Sequence, residues 1–267
     1  MANDKYANPW REKEMRAARA KRVYEYMQQK HAADTESAVM RTIPYSVSNC
    51  KELFVRQQAP GAHLPPVSVL LSETVAAAFC YPGKKVAILN FASYKNPGGM
   101  FMEGSIAQEE SLCHSSNLYN ILSSERLQEC FYIPNRKQLN YGLYSDNLLY
   151  TPDVLFIHDK KRQYCDVITA AAPNKGVAQK YHAISDERCR YAMRSRIQHI
   201  LLAALNNQVD VLILGAYGTG VFKNDSKEVA SLFREELVGC PFTAVFAIPG
   251  EKSLIFSEIF GVPIMKI

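Results

Sequence analysis

The chain reads as an α/β protein with a mostly parallel or mixed sheet covered on both faces, and three observations carry that expectation. Short apolar runs such as VAILNF (86–91), DVITAAA (166–172) and VDVLILGAY (209–217) look like strands buried on both sides. Stretches with helical spacing stand between them, clearest in DERCRYAMRSRIQHILLAALNNQ (186–208). Strand and helix patterns alternate along most of the chain, as they do when strands are joined by crossover helices.

The elements follow in order. Residues 10–31 have an approximate apolar stripe of Met15, Ala18, Val23, Tyr26 and Met27 and are expected to be helical. Residues 32–66, punctuated by Pro44, Pro60, Pro65 and Pro66, are expected to be irregular with short extended pieces. SVLLSETVAAAFCY (68–81) predicts a strand and then a helix, and VAILNFAS (86–93) a strand running into a glycine turn. Gln108 to about Leu122 has helical spacing, with Leu112, Leu118, Tyr119 and Leu122 available for one face. NLLYTPDVLFIHD (147–159) holds one or two strands interrupted by Pro152. After the strand at 209–217 comes a second glycine loop, GAYGTG, then a helix over 225–237 capped by Asp225 or Ser226. FTAVFAI (242–248) closes the pattern as a strand.

At 267 residues, 48% of them hydrophobic and 21% charged, the chain has ample material for a sizeable core. No internal repeat or low-complexity tract appears. Residues 1–66 are expected to form a helical extension packed on a main domain of residues 67–267. The N-terminus lacks the apolar core of a secretory signal, and no window reaches the length needed to cross a bilayer. Seven cysteines are scattered without a CxxC pair, which argues against a disulfide framework or a cysteine zinc site and for a reducing, cytoplasmic setting. The net charge of +5 is modest, and much of it lies in WREKEMRAARAKR near the N-terminus. A solvated helix face accounts for that segment, and direct nucleic-acid binding is left open.

Two glycine loops, NPGGM (96–100) and GAYGTG (215–220), each follow a strong apolar strand and lead toward a helix. Backbone N–H groups and a helix N-terminus in that setting make an anion site, and glycine lets the backbone approach closely. Each loop alone is equally explained as a tight turn. Together, at the carboxyl ends of strands in one sheet, they fit a diphosphate held from two sides. Neither is a Walker A loop or a GxGxxG fingerprint.

About ten residues after the first glycine pair stand Glu109 and Glu110. Neighbours on a helix project roughly 100° apart, so the two carboxylates do not flank one bond as in a two-carboxylate glycosidase. A division of work fits better, one carboxylate holding a substrate hydroxyl and the other moving a proton. An acidic pair at a helix N-terminus is also simply favourable to the helix dipole, and only the spacing to Gly98 and Gly99 speaks for chemistry. Cys113-His114 diverge on a helix and read as packing and surface. His158, His182 and His199 show no metal-ligand spacing, so no metal and no cofactor is expected. Trp10 and its neighbouring tyrosines form no nucleic-acid stacking signature.

LNFASYKNPGGMFMEGSIAQEESLCHSSNLY (89–119) resembles the signature of the microbial-type poly(ADP-ribose) glycohydrolases, within the macrodomain superfamily. YSDNLLYTPDV (144–154), DVITAAAPN (166–174) and LGAYGTGVFKND (214–225) agree in the same order, so the similarity spans roughly 67 to 250. The resemblance implies a macrodomain-like three-layer α/β/α fold, an ADP-ribose pocket and no metal. It implies Glu110 as the catalytic acid at the anomeric carbon, Glu109 as the catalytic neighbour that binds ribose hydroxyls, and Gln108 as a residue that helps hold the loop at the substrate. Asn90 and Ser93 correspond to positions near the distal ribose. Gly98 and Gly99 correspond to positions against that ribose and the diphosphate. Gly218, Thr219, Gly220 and Val221 match the second diphosphate loop, with Phe222 near the distal ribose. Met100 stands where the family usually carries a third glycine, and Thr219 where many relatives have cysteine.

The expected activity is therefore release of ADP-ribose from poly(ADP-ribose) or from ADP-ribosylated macromolecules by acid/base catalysis. Two other outcomes are consistent with Met100 in the loop: a non-catalytic ADP-ribose reader, or a hydrolase of a different ADP-ribosyl linkage.

Overall fold

The computed structural model describes residues 9–46 and 63–267. The described helices are α1 (Pro9–Lys30), α2 (Ala32–Arg41), α3 (Thr74–Ala78), α4 (Gln108–His114), α5 (Leu118–Leu122), α6 (Glu125–Leu127) and α7 (Ile133–Lys137), with a π-helical turn between the last two. Four more follow: α8 (Lys175–His182), α9 (Asp186–Asn206), α10 (Ser226–Glu236) and α11 (Lys252–Phe260). The strands are β1 (Ile43–Tyr45), β2 (Val67–Leu71), β3 (Val86–Phe91), β4 (Leu148–His158), β5 (Lys161–Ala170), β6 (Val211–Leu214), β7 (Thr243–Ala247) and β8 (Ile264–Lys266).

All eight strands lie in one mixed sheet of order β1-β4-β5-β3-β6-β7-β2-β8. From β5 to β8 every neighbouring pair is parallel, while β4 and β1 add an antiparallel edge. Strand alternation sorts the apolar runs onto two faces. Ala87, Leu89, Leu212, Leu214 and Phe246 meet α9, α10 and α11 through Ile197, Phe233 and Phe256. Val86, Ile88, Val211, Ile213 and Val245 meet the helices on the other side through Ala20, Ala38, Leu112 and Leu118. The result is three α/β/α layers, with each fully buried large aliphatic or aromatic side chain contributing roughly 1.5–3 kcal/mol.

Several elements depart from the sequence reading. Residues 32–41 are not irregular: they form α2, while a short extended piece of the expected kind is present at Pro44 as β1, and residues 47–62 of the proline-punctuated stretch lie outside the described residues. The helix expected over 108–122 is broken at 115–117, where the Ser116 hydroxyl donates to Leu112 O and Ser116 bridges to Phe156 of β4. Pro152 does not split β4. The register slips between Thr151 and Val154, and Asp153 takes φ +53 while its N–H donates to buried Asp166 at 2.9 Å. The pattern also continues past 248 into α11 and β8. The capping expectation at 225 is met, since Asp225 accepts from Glu228 N at 2.8 Å.

Candidate active site

β3 and β6 run parallel and side by side, so the loops that leave their carboxyl ends, 92–107 and 215–225, are neighbours. The pairing of the two strands ends at Ile88 and Ile213, short of the last residues of both, and the Phe91 ring packs against Gly215 and Tyr217 beyond it. The carboxyl ends of parallel strands are where ligands bind in open α/β sheets.

Gln108, the first residue of α4, fills the gap left in the sheet. Its Oε1 accepts from Phe91 N at 2.8 Å, and its Nε2 donates to Leu89 O at 2.8 Å. A longer bond, at 3.4 Å, reaches Thr74 Oγ1. The amide thus bonds β3 as another strand would and pins the N-terminus of α4 to the sheet.

That pinning puts both carboxylates at the carboxyl end of β3, and both are buried. Glu109 accepts from Asn90 Nδ2 at 3.1 Å and from Ser93 N at 2.7 Å. Burial pushes its pKa up to about 8. The Ser93 N–H and the Asn90 amide oppose that rise, the charge of Glu110 adds to it, and the Gly98 N–H opposes it again. Glu110 accepts from Met100 N at 2.9 Å and from Ala107 N at 3.0 Å. The second bond is the reach of an N3 glutamate back to the N-cap, although Ala107 has no side-chain acceptor to complete a capping box.

Gly98 and Gly99 both adopt left-handed φ, +64 and +61. A β-carbon on Gly99 would lie 2.5 Å from Glu110 Oε1 and 3.2 Å from Glu109 Oε2, so only glycine lets the turn close on the two carboxyl groups. One on Gly98 would lie 2.6 Å from the Tyr119 ring. The Met100 side chain is 50% exposed beside them.

The second loop is organised differently. Gly218 has φ +69, and a β-carbon there would lie 2.6 Å from Ala172 Cβ. Asn224 Nδ2 ties the loop by donating to Gly218 O at 2.9 Å and Pro173 O at 2.8 Å. Thr219 Oγ1 donates to Ala216 O and accepts from Lys252 Nζ at 2.9 Å, and the same ammonium reaches Thr219 O at 2.8 Å. Among the described residues no acceptor takes the N–H of Gly218, Gly220, Val221 or Phe222. Val221 is 82% exposed, and Phe222 is half-buried with its ring edge toward Tyr144.

The structure therefore brings together Asn90, Ser93, Gly98, Gly99, Met100, Glu109 and Glu110 at the carboxyl end of β3, with Gly218 to Phe222 on the loop that follows the neighbouring strand. Of Cys113 and His114, the thiol packs beneath the first loop, 3.3 Å from where a β-carbon on Gly98 would lie, and the imidazole turns away from it. The cysteine is buried, and the imidazole packs on the edge of Phe101 at 4.8 Å. Lys252 was invisible in the sequence, since nothing in PGEKS ties it to a threonine 33 residues earlier. Nor does the sequence signal that Tyr94 and Tyr144 stack at 4.3 Å beside the first loop. Among the described residues there is no group of three or more metal-ligating side chains, and no helix is long and apolar enough to cross a membrane.

Residues 4–159 match the family model of the microbial-type PARG catalytic domain. No curated protein matches. Among solved structures, poly(ADP-ribose) glycohydrolase from Thermomonospora curvata is 29% identical, with 92% of this chain and all of that one covered at a TM-score of 0.82. The same enzyme bound to the inhibitor ADP-HPD aligns at 0.79. Poly(ADP-ribose) glycohydrolase from Deinococcus radiodurans in complex with ADP-ribose is 30% identical, covering 85% of this chain and 97% of that one at 0.77. A family model spanning more than half of the chain, together with relatives of the same mixed-sheet architecture, establishes the family: the chain belongs to the microbial-type poly(ADP-ribose) glycohydrolases and is a glycohydrolase.

Proposed function

We propose that this glycohydrolase releases ADP-ribose from its polymers or from ADP-ribosylated macromolecules, with the Glu109–Glu110 pair supplying the acid/base chemistry. The observation that carries the reading is the closure of the Gly99 turn onto both buried carboxyl groups, each held by its own set of donors. In this reading residues 67–267 form the catalytic unit and residues 1–66 an extension packed on it.

In this reading the N–H groups of Gly218, Gly220, Val221 and Phe222, which meet no acceptor among the described residues, receive the diphosphate as a nest of donors, and the ribose lies at the carboxyl ends of β3 and β6. Asn90, buried and with no partner for its Oδ1 among the described residues, offers an acceptor to a ribose hydroxyl. Glu110 protonates the leaving oxygen. The bond from that oxygen to the anomeric carbon breaks with its electron pair going to the oxygen, and positive charge spreads onto the ribose ring. A water then adds to the carbon and returns its proton to Glu110. Glu109 holds the ribose in register.

The high proton affinity of Glu109 favours a second reading, in which the roles are exchanged and Glu109 carries the proton. Hydrolysis of polymer and of mono-ADP-ribosylated substrate by Glu110→Gln and Glu109→Gln separates the two. The first reading expects Glu110→Gln to lose roughly 10²–10⁴ in kcat with ADP-ribose binding retained, and Glu109→Gln to act mainly on KM. The reverse pattern assigns the proton to Glu109, and full turnover in both variants would sink the pair altogether.

Met100, half-exposed beside the carboxylates, narrows the entrance for whatever lies beyond the scissile bond. Met100→Gly is expected to raise turnover of polymer relative to mono-ADP-ribosylated substrate. An unchanged ratio would remove Met100 from the determinants of specificity.

A further inference from the structure

The loop that carries the donors to Glu110 is closed from outside by α1. Met100 N and Ala107 N, which hold the two oxygens of Glu110, bracket the segment 101–106. That segment is compact: Glu103 N and Ser105 N both donate to Met100 O, at 3.2 and 3.1 Å, and Gly104 N donates to Phe101 O at 3.1 Å. Phe101 is buried against His114 and Tyr119 and anchors one side of it.

The other side is Gly104, buried and at φ +76. A β-carbon there would lie 2.2 Å from Lys13 O and 2.8 Å from Ala17 N, so the loop backbone rests directly on the backbone of α1. Arg16, between those two residues on the helix, donates from Nε to Gly104 O at 2.9 Å. Glu12, one turn earlier, lies 3.5 Å from Nη1 of the same guanidinium, in an exposed ion pair. The effect of the Arg16–Gly104 contact is to hold the path of the loop between two N–H groups whose spacing must match one carboxylate.

We infer that Arg16 is a positioning residue for hydrolysis: through Gly104 O it fixes the segment that aims the Met100 and Ala107 N–H groups at Glu110, making α1 a working part of the catalytic apparatus. The inference rests on the assignment of Glu110 to the chemistry. A carboxylate whose donors drift by a fraction of an ångström loses its aim at the leaving oxygen, while the diphosphate loop, on another strand, is untouched. The expected signature is thus a fall in kcat with ADP-ribose affinity preserved.

The test measures kcat, KM, the Kd for ADP-ribose and the melting temperature for the full chain with Arg16→Ala, Arg16→Lys, Gly104→Ala and Glu110→Gln. Arg16→Ala is expected to lower kcat by about tenfold, and Gly104→Ala by more, because the clash is backbone on backbone. Kd should stay within about twofold in Arg16→Ala, and Arg16→Lys, which keeps a donor for Gly104 O, should recover most of the lost turnover. If Arg16→Ala turns over like the parent while Glu110→Gln is dead, the clamp is wrong and the catalytic assignment stands. A loss of kcat, ADP-ribose affinity and melting temperature together in Arg16→Ala, unrelieved by lysine, would make the contact a mere structural prop and also overturn the inference. Full activity of Glu110→Gln removes the catalytic assignment itself, and the inference with it.

Discussion

The two glycine loops look alike in sequence and do opposite things with their backbone donors. In the first, the N–H of Met100 and of Ala107 point inward to Glu110, and the N–H of Gly98 acts on Glu109. In the second, the N–H groups of Gly218, Gly220, Val221 and Phe222 meet no acceptor among the described residues, while the loop is braced from behind by Asn224 and by the ammonium of Lys252. A strand followed by glycines is therefore not one device. One loop spends its donors on carboxyl groups and the other leaves them unused among the described residues, and the difference lies in whether a helix with acidic residues at its start folds back under the turn.

That contrast is broken or sharpened by three substitutions. The largest effect belongs to Gly99→Ala, whose β-carbon would enter the Glu110 carboxyl group at 2.5 Å from a backbone already at φ +61. A loss of kcat of at least about a hundredfold is expected in a polymer-hydrolysis assay. Turnover near the parent level would show that the first loop does not position the carboxylates.

An intermediate effect is expected from the buried charge. Glu109 takes its proton more readily in the folded protein, with a pKa of about 8, than in the unfolded chain, where it has the ordinary value of 4.5. Its contribution to stability is therefore full below that ordinary value and is lost as pH rises through about 8. The melting temperature of the ligand-free protein should fall over that window, and Glu109→Gln should flatten the fall. Identical pH profiles for the two proteins would mean the burial penalty is met in some other way.

The smallest effect is expected at Gly220, which is exposed, lacks a left-handed φ and has open space where a β-carbon would go. Gly220→Ala should leave ADP-ribose binding within about twofold by calorimetry, since its donor is kept and nothing is displaced. A large loss would show that a ligand packs against its Cα, and the loops would then be more alike than their hydrogen bonds indicate.

What could be read in advance followed the range of the interactions. β3 and β6 were legible because buried parallel strands are apolar on both faces, and the Asp225 cap because its partner is three residues away. The break at Ser116 was not, since its cause is a strand some forty residues later. β8 is three residues long and takes its structure from β2 beside it, so no local pattern announces it. In the site, Glu109 and Glu110 stand out as an acidic pair after glycines, yet the burial that raises the proton affinity of Glu109 is tertiary, and the Asn90 and Ser93 donors that oppose it lie nearly twenty residues upstream. The contact of Arg16 with Gly104 spans 88 residues and leaves no trace in either segment alone.

Gln108 gives the start of α4 a single latch. Its amide takes the place of a missing strand residue beside Leu89 and Phe91, so one side chain ties the first turn of the helix that carries Glu109 and Glu110 to β3. The rest of α4 is held by Leu112 and Cys113 in the apolar layer beneath the sheet. A Gln108→Ala chain should therefore keep its fold while the two carboxyl groups lose their fixed station above the strand.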